Sequence, residues 1–436
     1  MTRAGFPRTN RPPQRNVPVG ADAGERPDAC PSQIARMSTT TTPVHTPAIP
    51  RWLPALLGFF IAVRPAATDM YLPAFPAVEA SFGTEPGTAQ LTLAAWFAGL
   101  AVGQITQGTL SDRFGRRRPM ILGTLLFAFS SLGCALAPSL GWLSVARATS
   151  AIGASAGMVI ARAMVRDLAD GHAAAILMSR LVLVMGVAPI LAPSVGGLIL
   201  AFAHWQVIFW VLTVYGFTCC ALALRFLPET LPPSRRVRLG LAGQLSRYRA
   251  IARERTFLTH ATMGGCGSFC MFAYLAGSSP VFIEGFGLSP SGFALIFGLC
   301  SCGLIAGSQV NARLLPRLGL SFMLRFICRV SLAATTTLVV LSFAGVHNLP
   351  LIVAPIFVAL SCQGFSNGNT SVGALSRHSA HAGSASALMG MAQFSLGASS
   401  GLLVGLLTDG TPRGMAALMF CGSLGAAIAD LCRPRS

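Results

Sequence analysis

Apolar runs of about twenty residues, the length an α-helix needs to cross the hydrocarbon core of a bilayer, alternate along the chain with short breaks rich in Arg, Gly or Pro. Twelve runs fall near 53–73, 89–109, 119–137, 141–161, 174–199, 207–227, 257–282, 291–311, 321–344, 350–370, 384–407 and 413–431. The pattern predicts an all-α membrane protein with twelve transmembrane helices. The longest polar stretch among them, 228–256, divides the runs six and six. The expected organisation is a six-helix half at 51–228, a cytoplasmic linker at 229–256 and a second six-helix half at 257–432. Residues 1–50 are rich in Arg, Pro, Thr and Ala without apolar periodicity, which predicts a disordered cytoplasmic tail. Met37, opening "MSTTTTPVHTPAIPRW", is a candidate translation start.

Composition supports the bilayer. Charged residues make up 11% of the chain, against about 25% in soluble domains. The net charge of +18 comes from Arg alone, since the chain has no Lys. In a soluble protein that balance would point to nucleic acid, but here the arginines stand between apolar runs and no nucleic-acid partner is expected. With the N-terminus inside, the inward segments carry Arg113, Arg116, Arg117, Arg118, Arg162, Arg166, most of the linker arginines, Arg313, Arg317 and Arg377. The outward loops carry only Arg413. Enrichment of cytoplasmic loops in Arg predicts that both termini are cytoplasmic. The twelve Cys show neither metal-ligand spacing nor a disulfide framework, so no metal is expected.

Two charges interrupt the first run, in "VRPAATDMYLPAFP" at 63–76: Arg64 and Asp69. A charge at mid-bilayer costs about 2.5–3.5 kcal/mol on insertion scales and marks function or pairing. Five residues is about 140° around a helix, so the two do not share a face. Arg147, in "WLSVARATSAIGASAG", is a third charge; its stem is long enough for the head to snorkel outward. Burial disfavours a carboxylate and a facing cation favours it, so an acid and an arginine in balance could carry a proton or form a structural ion pair. Tyr71, Gln104, Asn367, Asn369 and Gln393 are, with Arg64, candidates for lining a cavity; the amides could instead bond between helices.

Several motifs recur in one order. "GTLSDRFGRRRP" at 108–119 joins the second and third runs, and "GSQVNAR" echoes it after the eighth, Gly307 and Asn311 matching Gly108 and Asp112. "GVAPILAPSVGG" at 186–197 sets Pro189 and Pro193 on a stripe with Gly186, Gly196 and Gly197. Such a stripe allows close packing and bending, and a kinked packing helix is its simplest reading. With "TDMYLPAFP", "MVRDL", "HWQVIFW" and "LPETL", these segments resemble the major facilitator superfamily and, within it, the Bcr/CflA drug-resistance transporters.

The resemblance implies a secondary transporter, not an enzyme, that exports small drug-like molecules across the cell inner membrane by proton antiport. It acts as a monomer, with the proton as coupling ion and no cofactor. It implies proton coupling at Asp69 and Arg147, and an inner gating loop of Gly108, Asp112, Arg113, Gly115 and Arg116. Leakage control falls to the antiporter motif of Gly186, Pro189, Pro193, Gly196 and Gly197, although Ala192–Pro193 replaces the usual Gly-Pro. Arg64 departs from the family, which has a small or apolar residue there. The alternatives are a proton-coupled metabolite transporter and an intramembrane lipid-modifying enzyme. For the enzyme, Asp167 and Asp170 are too sparse an acidic cluster.

Overall fold

The computed structural model describes residues 50, 52–168, 171–236, 241–378, 382–407 and 410–434. Residues 1–49 of the expected tail, Met37 among them, and Asp170 lie outside them. Among the described residues there are helices and no strands. Lipid supplies no hydrogen-bond partners, so each crossing segment must satisfy its backbone internally, and the helix does so. Among the described residues twelve spans are long and apolar enough to cross a membrane, six before the linker and six after it.

The first span is broken: α1 (Leu53–Asp69), a 3₁₀ turn at Leu72–Ala74, then α2 (Phe75–Phe82). Pro73 and Pro76 lack the N–H that would continue α1, so the break follows from sequence. The next five spans are α3 (Ala89–Phe114), α4 (Arg117–Ala135), α5 (Leu140–Leu168), α6 (Gly171–Phe202) and α7 (Gln206–Phe226). The linker holds a helix, α8 (Leu241–Arg253). The second six are α9 (Arg255–Ser279, continued by a π turn at Pro280–Gly285), α10 (Pro290–Leu318), α11 (Leu320–Phe343), α12 (Leu349–Leu375), α13 (Ala382–Leu407) and α14 (Pro412–Leu431). Polar caps set several starts: Glu254 accepts from the N–H groups of Thr256 and Phe257, Ser289 from Gly292, and Asn348 from Leu351. Burial works upward on the pKa of Glu254, but these backbone donors outweigh it and hold the carboxyl below its ordinary value.

The two sets of six meet along α3 against α13, α6 against α10, and the first-span break against α9. Each set has its own polar tie near the arginine-rich end. In the first it is ionic, centred on Arg116. In the second, buried Asn311 and Asn369 exchange two hydrogen bonds of 3.0 and 2.8 Å, joining α10 to α12. Asn311 therefore stands where the sequence echo of Asp112 placed it, with an amide partner in place of a charge. Removing one amide strands the other in a buried site, at about 1–3 kcal/mol. Asn311→Ala is expected to lower the thermal midpoint of the detergent-solubilised protein. The double change Asn311→Leu with Asn369→Leu should recover most of the loss, which a double-mutant cycle of melting curves measures.

Candidate functional site

The three intramembrane charges occupy three different settings. Arg147 is 1% exposed and does not snorkel. Its Nη1 donates to the Ala67 carbonyl at 3.3 Å and its Nε to the Thr92 carbonyl at 3.4 Å. The guanidinium lies over the rings of Tyr71 (4.2 Å), Trp96 (5.0 Å) and Phe209 (5.7 Å). The last carbonyls of α1 have no intrahelical partner, so Arg147 caps a helix end inside the membrane, where a cation also suits the helix dipole. Among the described residues it forms no ion pair with Asp69. The cage explains this: the side chain is committed to carbonyls and aromatic faces.

Asp69 is the last residue of α1, 5% exposed, and carries no hydrogen bond or ion pair among the described residues. The groups in electrostatic reach of it are Arg64 and, from α9, Tyr274. Arg64 instead faces the space between the two sets of helices. There a cavity of about 590 Å³ is lined from α1, α3, α5, α6, α9, α12 and α13. Arg64, Gln104, Asn367 and Gln393 stand on its wall, together with Arg162 and Met158, Met185, Met271 and Met389. At its closed end the rings of Phe97 and Phe272 stack with centroids 4.0 Å apart, and Phe272 meets Phe394. Arg162 and Ser376, toward the arginine-rich end, are exposed, whereas Gln104, Phe272 and Phe394 are buried, so the cavity opens toward that end. Two expected lining residues are elsewhere. Tyr71 is held in the Arg147 cage, its hydroxyl 2.9 Å from that of Thr92, and Asn369 is committed to Asn311.

The loop expected to act as a gate is organised by Arg116 and not by Arg113, which lies over the Phe114 ring. Arg116 Nη1 donates to Asp112 at 2.6 Å and its Nε to Asp167 at 2.8 Å, while its backbone N–H donates to Glu229 at 2.8 Å. Thr230 adds a bond to Asp167. Burial opposes the Arg116 charge, but its bonds to Asp167 and Asp112 more than offset that, raising its pKa. Gly115, at φ 90°, lies so close to Glu229 that a Cβ would overlap the carboxylate. Asp167, weighed from sequence only as part of a sparse acidic cluster, and Glu229 received no role in this loop. Their signals were "MVRDL" and "LPETL", which recur in order but carry no chemistry by themselves.

In α6 the stripe is an interface. A Cβ at Gly196 would overlap the Met70 carbonyl in the first-span break, and one at Gly186 would lie 3.3 Å from Ile305 of α10. Pro193 and Gly197 are buried with it, and Pro189 is half-buried.

The Major Facilitator Superfamily profile matches residues 57–404. The chain belongs to that superfamily. An uncharacterized MFS-type transporter of Bacillus subtilis, YdgK, is 35% identical over 84% of this chain and 91% of its own. The bicyclomycin resistance protein homolog of Haemophilus influenzae is 28% identical over 80% of this chain and 87% of its own. A D-xylose-proton symporter of solved structure, 15% identical, aligns over 87% of this chain and 95% of its own with a TM-score of 0.67, a likeness of fold. The superfamily, with drug-resistance transporters among the relatives, makes this chain a multi-pass membrane transporter and not an enzyme. Loss of a charge-assisted bond costs about 1.5–3 kcal/mol. Arg116→Lys is therefore expected to slow transport in proteoliposomes by tenfold or more, with Arg113→Lys staying within about twofold of wild type.

Proposed function

We propose that this transporter exports small drug-like molecules across the bacterial inner membrane in exchange for protons, as a Bcr/CflA-type antiporter acting as a monomer with both termini cytoplasmic. The observation that carries the reading is Asp69: a carboxyl sealed at the end of α1 with no bonding partner among the described residues, beside the cavity-facing Arg64. An unpaired carboxylate is costly to enclose in a low-dielectric interior. The empty carrier therefore turns over most readily with Asp69 protonated, and proton entry from the outer side resets it. The proton is the coupling ion, and no cofactor is required.

In this reading Arg147 acts on Asp69 at one remove, by fixing the helix end that carries it. The Arg116 network, with Gly108, Asp112, Arg113 and Gly115, steadies the inner gate, and the α6 stripe keeps the interface tight enough to hold back a proton leak. The cavity opens at the arginine-rich end, which the positive-inside rule assigns to the cytoplasm. The bicyclomycin resistance protein homolog among the relatives supports an antibiotic-like cargo.

Asp69→Asn cannot exchange a proton. In proteoliposomes with an imposed pH gradient it is expected to lose uphill export while keeping substrate binding. Undiminished uphill export by that variant would remove Asp69 from the coupling role.

A further inference from the structure

One outward face of α11 carries charge where lipid should be. At about 100° per residue, Phe322, Arg325, Phe326, Arg329, Val340 and Phe343 fall within about 120° of one another around the helix, and all six are exposed. Met323, Ile327, Ser331 and Leu338, on the other side, are buried. The helix packs on α12 and α14 and puts no residue on the cavity wall, so its exposed stripe looks out to the bilayer. Centred in a hydrocarbon core about 30 Å thick, a helix of 24 residues overshoots it by about 3 Å at each end. The Cα of Arg329, about 14 Å along α11, then stands about 10 Å inside the core. Helical side chains lean toward the N-terminus, which brings its head back toward Arg325, one turn earlier.

The protein offers these two groups little. Arg325 Nε is 3.9 Å from Asp430, but that carboxylate is held at 3.0 Å by Arg433, which also donates to the Ser321 carbonyl at the foot of α11. Arg329 has no hydrogen bond or ion pair among the described residues. Asp430 is the sole acid on α10, α11, α12 or α14, so positive charge is in surplus here. The fold does not call for it: α4, in the corresponding place of the first set, turns Leu122, Leu126 and Phe129 outward. Beside the arginines the Phe322 and Phe326 rings lie nearly parallel, 6.1 Å apart, as an exposed apolar ledge. A guanidinium at this depth needs water or an anion. The anion that a bilayer supplies is the phosphodiester, which matches the planar donor fork of arginine. We propose that Arg325 and Arg329 hold the phosphodiester of one anionic phospholipid from the leaflet at the arginine-rich end, with an acyl chain lying on the Phe322 and Phe326 rings. A zwitterionic headgroup fits less well, because its ammonium meets surplus positive charge and the nearby carboxylate is taken.

Native mass spectrometry of the full chain in detergent, titrated with phosphatidylglycerol or phosphatidylethanolamine of the same acyl chains, reads the affinity of the tightest lipid site. Wild type is expected to hold phosphatidylglycerol at least tenfold more tightly than phosphatidylethanolamine. Arg329→Leu and Arg325→Gln should each weaken phosphatidylglycerol about tenfold, the worth of one charge-assisted bond. Arg249→Gln, which removes an exposed arginine of α8, should change it less than twofold. Arg329 has no protein partner to lose, so Arg329→Leu should keep the lipid-free melting midpoint of wild type. The rise in midpoint that phosphatidylglycerol gives wild type should be lost in that variant. Glycerol 1-phosphate should neither raise the midpoint nor displace the lipid. Should one variant fail to fold, the other and the wild-type comparison of the two lipids carry the test. The proposal is overturned by equal affinity for the two lipids, by indifference to both α11 substitutions, or by an equal effect of Arg249→Gln. It is also overturned if glycerol 1-phosphate reproduces the lipid's effect, which makes this a free-phosphate site. A wild-type dimer that Arg329→Leu converts to monomer would overturn it too, since a second copy then covers the stripe.

Discussion

A helix that stops inside a bilayer leaves carbonyls that no water can reach, and the first span stops at Asp69. Much of the first six-helix set is arranged around that fact. Pro73 and Pro76 force the stop, α5 sends Arg147 across to the Ala67 carbonyl, and three aromatic side chains from three segments enclose its charge. Gly196 lets α6 press against the Met70 carbonyl at the same level. Fixing this break fixes Asp69, and thereby the relation between an acid on one side of α1 and the cavity-facing Arg64 on another. The chemistry of the site thus depends on how a backbone interruption is satisfied.

The two six-helix sets solve a shared problem with different chemistry. Near the arginine-rich end of the first, one guanidinium gathers Asp112 and Asp167, with Glu229 on its backbone, and ties α3, α5 and the segment after α7 together. Near that end of the second, two amides do the joining. The ionic tie is long-ranged and sensitive to salt. The amide pair is short-ranged and indifferent to pH over the physiological range. The first set is therefore the one whose arginine-rich end answers to its electrostatic surroundings.

Architecture was legible in the sequence because lipid imposes a length and a polarity on every crossing segment. All twelve apolar runs coincide with helices, and the breaks follow Pro, Gly and the capping residues. Side-chain partnership was less legible. Asp69 and Arg147 read as a natural pair because each is a charge in a costly place, but carbonyl oxygens and aromatic rings can also receive a cation, and neither stands out in a string of letters. Arg64 lies about 140° from Asp69 on an ideal helix, yet its long stem reaches the cavity while its charge still acts on Asp69. The wall residue Arg162 drew notice only as part of the inward charge bias. Asp167 and Glu229 needed the fold to bring them to Arg116, since 51 and 113 residues separate them from it.

The Arg147 cage has a consequence for how the chain is made. Synthesis delivers the first two spans to the membrane before α5, and these supply Ala67, Tyr71, Thr92 and Trp96, all the cage except Phe209. Arg147 therefore enters the bilayer toward a receptor that has already been inserted, and its insertion cost of about 2.5–3.5 kcal/mol is met as it arrives. The order of spans along the gene becomes part of the solution. A rearrangement that placed α5 ahead of the first two spans would keep every contact of the finished fold, yet would expose the bare guanidinium to lipid during biogenesis.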